Sequence, residues 1–126
     1  MPLDTHTFLW FVAGDMQLPE SVKTKINDIG ELSFLSVASF WEITIKHQIG
    51  KLTLDISLED LFEYAGRNQI EIMQMSNEHL LALSKLPGHH SDPFDLLIGS
   101  RALAENLTLI TKDKVLKKYK IKQQWA

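Results

Sequence analysis

The segment from Ser91 to Asp113, SDPFDLLIGSRALAENLTLITKD, constrains the fold more than any other part of the chain. Asp92 stands directly before Pro93, the pattern of a helix N-cap followed by proline at the first helical position. The helix that follows is dense in apolar residues and is predicted to end near Asn106. The run LTLIT then predicts a short buried strand of the kind found in parallel sheets covered on both faces.

Strands and helices alternate along the rest of the chain. A very short first strand is predicted to end at Leu3-Asp4. Three further strands are predicted over Glu31 to Val37, Ile70 to Met75 and Leu107 to Thr111. The predicted helices cover Thr7 to Ala13, with Thr5 as a possible cap, Pro19 to Ile29, stopped by Gly30, Ser36 or Ser39 to Gly50, Ser57 to Asn68, Ser76 to Leu86 and Asp92 to Asn106. The tail from Lys114 to Ala126 predicts a short helix and a last edge strand around Ile121. This alternation predicts one doubly wound α/β domain over residues 1–126, with a largely parallel sheet.

Composition narrows the possible chemistry and location. The chain has 126 residues, 44% of them hydrophobic, and no cysteine, which excludes thiol catalysis and cysteine-ligated zinc. No apolar window reaches the length of a membrane span, and the N-terminal residues do not resemble a signal peptide, so we expect a cytoplasmic protein without membrane contact. The formal charge of −3 argues against broad non-specific binding of nucleic acid, although a local basic rim is compatible with it.

Four acidic residues are predicted at the carboxyl edge of the sheet: Asp4, Glu42, Asp95 and Asp113. Ligands of open α/β sheets bind at this edge. Carboxylates gathered there raise each other's pKa unless a cation neutralises them. Mg²⁺ or Mn²⁺ suits such a site, because hard divalent ions take oxygen ligands and activate water for phosphodiester hydrolysis.

Each of these acids also has a structural explanation. Glu42 and Lys46 stand four residues apart on one helix face, a spacing typical of surface ion pairs. Asp113 could cap a following helix, and Asp4 could be either a cap or a site residue. Capping explains Asp92 completely and leaves Asp95 unexplained, so Asp92 is only the second choice as a ligand.

Three segments, LDTHTFLW, SVASFWEITIKHQIGKL and SDPFDLLIGSRALAENLTLITKD, resemble PIN-domain proteins, specifically the VapC-like toxins of type II toxin–antitoxin systems. The resemblance implies a three-layer α/β/α sandwich and an endoribonuclease that depends on Mg²⁺ or Mn²⁺. It also implies RNA as substrate, a cognate antitoxin as partner and a homodimer. The residues that match the metal ligands of the family are Asp4, Glu42, Asp95 and Asp113. We expect Lys46, Thr5 and His90 to contact the substrate, with hydroxyl support from Thr5 and from Ser36 or Ser39.

Other functions were weighed against this one. A phosphoacceptor domain would need an aspartate closing the third strand, and IEIMQMS ends without one. A catalytically silent PIN-like module that binds another protein would have lost one of the acids, and none is lost.

The pair His89-His90 could bind a metal, although adjacent loop histidines seldom point the same way. The lysines from Lys112 to Lys122 could line an RNA path or form a solvated face.

Overall fold

A computed structural model describes residues 1–86, 92–113 and 119–125. Its strands are β1 (Pro2–Leu3), β2 (Ser33–Ser36), β3 (Ile70–Met73), β4 (Leu109–Ile110) and β5 (Gln123–Gln124). Its helices are α1 (Thr5–Ala13), α2 (Glu20–Asn27), α3 (Val37–Gln48), α4 (Leu58–Arg67), α5 (Asn77–Ser84) and α6 (Pro93–Ala104). Within these ranges, no helix combines the length and the apolar character needed to cross a membrane.

The five strands form one sheet in the order β3-β2-β1-β4-β5, and every neighbouring pair is parallel. The central strand β1 pairs with both β2 and β4, so that Leu3 lies between Leu35 and Ile110. The chain winds outward from β1 through β2 to β3, then crosses to the other side of β1 to form β4 and β5. The predicted doubly wound parallel sheet is thus confirmed, and its switch point lies between β1 and β4.

Two apolar clusters cover the two faces of the sheet. Leu109 and Ile110 are neighbours in β4 and belong to different clusters, as expected because successive strand residues point to opposite faces. One cluster contains buried side chains from α1, α2, α3 and α4, and the other contains those of α6 together with Tyr119 and Ile121. The sheet is therefore the middle layer of a three-layer sandwich, as the resemblance implied.

Side-chain caps fix where the helices begin. The Asp92 carboxylate accepts hydrogen bonds from the backbone N–H groups of Phe94 (2.9 Å) and Asp95 (3.4 Å), which confirms the predicted start of α6. Ser36, rather than Ser39, caps α3. The prediction that Thr5 caps the first helix is wrong. Asp4 is the cap, because its carboxylate accepts from the N–H of Thr7, and Thr5 is the first helical residue.

Two other boundaries differ from the predicted ones. Helix α2 ends at Asn27, and Ile29 is 88% exposed instead of buried on the helix face. The Asp28 carboxylate accepts from the N–H of Gly30, which makes a turn after α2, so Gly30 does not provide the predicted stop. The last strand covers Gln123–Gln124 and begins two residues after the buried Ile121. The residues predicted to form the tail helix are only partly within the described ranges, and the His89-His90 pair lies outside them.

Candidate active site

The carboxyl ends of β1 and β4 are linked through Asp4 and Thr111. The backbone N–H of Asp4 donates to the carbonyl of Ile110 (3.1 Å), which places Asp4 directly beside the end of β4. In its buried side chain, Oδ1 accepts from the N–H of Thr7 (2.8 Å) and Oδ2 accepts from the hydroxyl of Thr111. The Thr111 oxygen accepts in turn from the N–H of Asp113 (3.0 Å). The Thr111 hydroxyl thus holds Asp4 and the backbone of Asp113 together at the switch point.

Glu42 is held on both carboxylate oxygens. It lies in the second turn of α3 with only 3% of its surface exposed. The Thr5 hydroxyl donates to Glu42 Oε1 (2.6 Å) and lies 3.0 Å from the hydroxyl oxygen of Ser39. Lys46 Nζ donates to Glu42 Oε2 (2.5 Å) from a side chain that is 35% exposed. The ion pair suggested by the i, i+4 spacing is therefore present, with its acidic partner inside the protein.

Asp95 is the side chain whose pKa the other acids raise. Burial raises its pKa most, and the charges of Asp92, Glu42, Asp113 and Asp4 add to that, so that the pKa reaches about 7. Near neutral pH, this carboxyl is therefore protonated in part of the molecules. The acids predicted at the sheet edge are thus within electrostatic reach of one side chain. Asp92 both caps α6 and contributes to this field.

Lys46 is the basic side chain tied into this acidic field. Burial lowers its pKa, but the hydrogen bond to Glu42 and the charges of Glu42, Asp92 and Asp95 outweigh burial, so the net shift is upward. The ammonium group therefore stays charged and neutralises part of the cluster.

The oxygen atoms at this edge suit a hard cation. Each carboxylate oxygen of Asp4 and Glu42 accepts one of the hydrogen bonds described above, and a carboxylate oxygen has room for two. Counting only donors from the described residues, one acceptor position per oxygen therefore remains for a metal ion or its water. In the described part of the chain, no three carboxylate or imidazole groups already form a ready metal site. Their chemistry fits Mg²⁺ or Mn²⁺.

An open cleft of about 390 Å³ begins at two of these acids and is lined by Asp4, His6, Trp10, Lys112 and Asp113. The Trp10 ring centroid lies 5.8 Å from that of His6, and Lys112 Nζ is 5.9 Å from the Trp10 centroid. The sequence analysis did not place His6 or Trp10 in the site, and it missed the role of the Thr111 hydroxyl. The i, i+4 spacing of His6 and Trp10 and the threonine two residues before Asp113 were the signals that could have revealed them.

Of the residues predicted to contact substrate, Thr5 and Lys46 both hold Glu42, and His90 lies outside the described residues. Their role toward substrate stays a prediction.

The fold is similar to solved structures of VapBC proteins. One is VapBC2 from Rickettsia felis bound to a DNA fragment from its promoter, with a TM-score of 0.75, 19% identity and coverage of 99% of this chain and 98% of that one. Another is VapBC-1 from nontypeable Haemophilus influenzae, with a TM-score of 0.72, 17% identity and coverage of 98% of this chain and 95% of that one. A search of curated proteins finds no match. The sequence model of the PIN domain matches residues 1–122, and the chain therefore belongs to the PIN-domain family of nucleases.

Proposed function

We propose that this PIN domain is a metal-dependent endoribonuclease and the toxin of a type II toxin–antitoxin module. PIN nucleases generally use divalent metal ions. The observation that carries the proposal is the convergence of four acids on the partly buried Asp95, whose pKa they and its burial raise to about 7. Such a cluster gains most from a bound cation, because the ion neutralises charges that the fold has brought together.

In this proposal, Asp4, Glu42, Asp95 and Asp113 hold Mg²⁺ or Mn²⁺, with Asp92 beside them. The bound ion supplies positive charge at the phosphate and lowers the pKa of its water. The rest of the work falls to the protein. Thr7 and Thr111 fix the orientation of the Asp4 carboxylate, and Thr5 with Lys46 fixes that of Glu42. Ligands held in this way cost little further ordering when substrate arrives.

Lys46 has a second proposed role, because its ammonium group is partly exposed beside the acids. If Glu42 served as a metal ligand, the Lys46 ammonium would be free to pair with a phosphate of the RNA. Thr5 would then act through Glu42 and not by direct substrate contact. His90 stays a predicted substrate contact.

The regulatory part of the proposal rests on the similar folds, which come from VapBC toxin–antitoxin complexes. We propose a cognate antitoxin as the inhibitory partner and a homodimer as the toxin's own state. We expect it to act in the cytoplasm, where RNA is accessible to it.

The nuclease proposal is tested by incubating antitoxin-free protein with RNA and Mg²⁺ or Mn²⁺, against EDTA. We expect Asp95→Asn to lower metal-dependent cleavage by about 100-fold or more, the scale on which loss of one charge-stabilising group lowers kcat. Asp92→Asn is the matched control, because asparagine is an equally good N-cap and should preserve α6. Cleavage that EDTA does not affect, or that survives in Asp95→Asn, would contradict the proposal. Intact RNA together with no binding of divalent ions would favour a catalytically silent protein-binding module.

A further inference from the structure

The cleft beside Asp4 has an aromatic wall that is supported from behind. His6 and Trp10 lie one turn apart on the same face of α1, and His6 is exposed. Trp10 is partly buried and packs edge to face against Trp125, with ring centroids 5.9 Å apart. Because Trp125 follows β5, the edge of the sheet packs against the Trp10 ring, which lines the cleft with the Lys112 ammonium over its face.

The lining of the cleft also carries charge. Lys112 and Asp113 follow β4, and the exposed Lys112 ammonium lies over the Trp10 ring. Asp4 and Asp113, two of the proposed metal ligands, complete the lining. The volume of about 390 Å³ lies within the range of roughly 300–1,000 Å³ typical of small-molecule sites. A fitting ligand has a planar part that stacks on a ring and an anionic part that reaches a lysine and a metal site.

We propose that this cleft binds the nucleobase next to the scissile phosphate of single-stranded RNA. Trp10 and His6 form the stacking surface, and Lys112 moves from the Trp10 ring to pair with a backbone phosphate. Aromatic side chains beside basic ones are the usual means of binding unpaired bases. The inference rests on the proposed nuclease function, and it adds the subsite that sets which nucleotide is held at the cut.

Binding of mononucleotides tests the subsite without any need for catalysis. The four ribonucleoside 5′-monophosphates are titrated in the presence of Mg²⁺ while tryptophan fluorescence is recorded, with ribose 5-phosphate as the ligand that lacks a base. We expect at least one nucleotide to quench the fluorescence and ribose 5-phosphate not to do so. The quenching should disappear in Trp10→Leu, which assigns the signal to that ring.

The exposed residues provide variants that preserve the fold. We expect His6→Ala and Lys112→Met to weaken nucleotide binding and to raise the KM for RNA by about tenfold each, the scale of a single base contact. His47→Ala and Lys85→Met are matched controls, since both side chains are exposed and neither lines the cleft.

The two proposals fail in different ways. Metal-dependent cleavage with unchanged KM and nucleotide quenching in His6→Ala and Lys112→Met would overturn the subsite and leave the nuclease in place. Wild-type protein that binds mononucleotides but cleaves no RNA would overturn the nuclease proposal.

Discussion

The acids at the sheet edge fall into two groups that the fold treats in opposite ways. Asp4 and Glu42, which we call the anchored acids, are 9% and 3% exposed and receive hydrogen bonds on both oxygens. Asp95 is partly buried among four other acids, and its pKa rises to about 7. Hydrogen bonds from the protein therefore hold both oxygens of each anchored acid. Asp95 carries a charge that burial and the neighbouring acids destabilise and that an added cation would stabilise.

The anchored acids fix the geometry of the site, and Asp95 makes the binding of a cation favourable. Hydrogen bonds to the anchored acids hold two carboxylates in place before any ion arrives, and such bonds to charged groups contribute about 1.5–3 kcal/mol each. The unfavourable position of Asp95 lowers the stability of the protein without metal. It favours binding of a divalent ion for the same reason.

The largest predicted effect contrasts one substitution in each group. Asp4→Ala should lower the free energy of unfolding by about 2–4 kcal/mol, because it removes the cap of α1 and leaves the Thr111 hydroxyl without its acceptor. Asp95→Asn should instead raise the free energy of unfolding at pH 8 in EDTA, since it removes a destabilised charge. Chemical denaturation of both variants measures the two changes. A decrease in both would remove the distinction between the groups.

Removal of the Lys46 ammonium group should leave Glu42 without its cationic partner. Lys46→Met takes the donor from Glu42 Oε2 and should lower the free energy of unfolding in EDTA by about 1–3 kcal/mol. Mn²⁺ should recover most of that loss, because the ion then has no competitor for Glu42. Thermal unfolding with and without Mn²⁺ tests this, with the exposed Lys51→Met as control. Equal Mn²⁺ effects in both variants would show that Lys46 is not a counterion of the site.

The hydroxyl groups allow a finer test of the anchoring. Thr111→Val and Thr5→Val preserve shape and remove one donor each from Asp4 and Glu42. We expect about 1–3 kcal/mol of destabilisation and Mn²⁺ affinity lower by about 10–100-fold, as for other groups that orient metal ligands. Thr44→Val is the matched control, because that hydroxyl donates to the carbonyl of Phe40 within α3. The same Mn²⁺ affinity in all three variants would refute the orienting role.

The last expected effect is a change of stability with pH. The Asp95 pKa is about 7 in the folded protein against 3.8 for an ordinary aspartate, so the folded state holds more protons between these values. As the pH rises from about 4 to 7, the contribution of Asp95 should therefore lower the free energy of unfolding. Above about pH 7 this decrease is complete. Melting temperatures of wild type and Asp95→Asn in EDTA isolate this contribution. Parallel curves for the two proteins would show that Asp95 does not titrate in this range.

Local signals in the sequence were enough for the order of elements and for α6. The pair Asp92-Pro93 located the start of α6, because capping depends only on neighbouring residues. The carboxyl edge could be predicted because parallel strands align their ends. The predicted start of α1 and the predicted end of α2 were wrong because aspartate side chains bind nearby backbone N–H groups. Asp4 accepts from the N–H of Thr7 and Asp28 from that of Gly30, which sets the helix start and the turn.

Contacts between distant segments could not be predicted from the sequence. The bond from Thr111 to Asp4 joins residues 107 positions apart, and that from Thr5 to Glu42 joins residues 37 apart. Neither threonine is unusual in its own segment, where a strand residue or a cap explains it. The raised pKa of Asp95 also depends on burial, which follows only from how α6 packs on the sheet.

Calorimetric titration of Mn²⁺ at pH 7 into wild type and Asp95→Asn tests the central claim most directly. Repeating it in two buffers of different ionisation enthalpy shows whether binding releases protons. We expect binding to the wild type with release of a fraction of a proton, and much weaker binding without proton release in Asp95→Asn. Equal affinity and equal proton release in the two proteins would contradict the claim that Asp95 is the acid that drives metal binding.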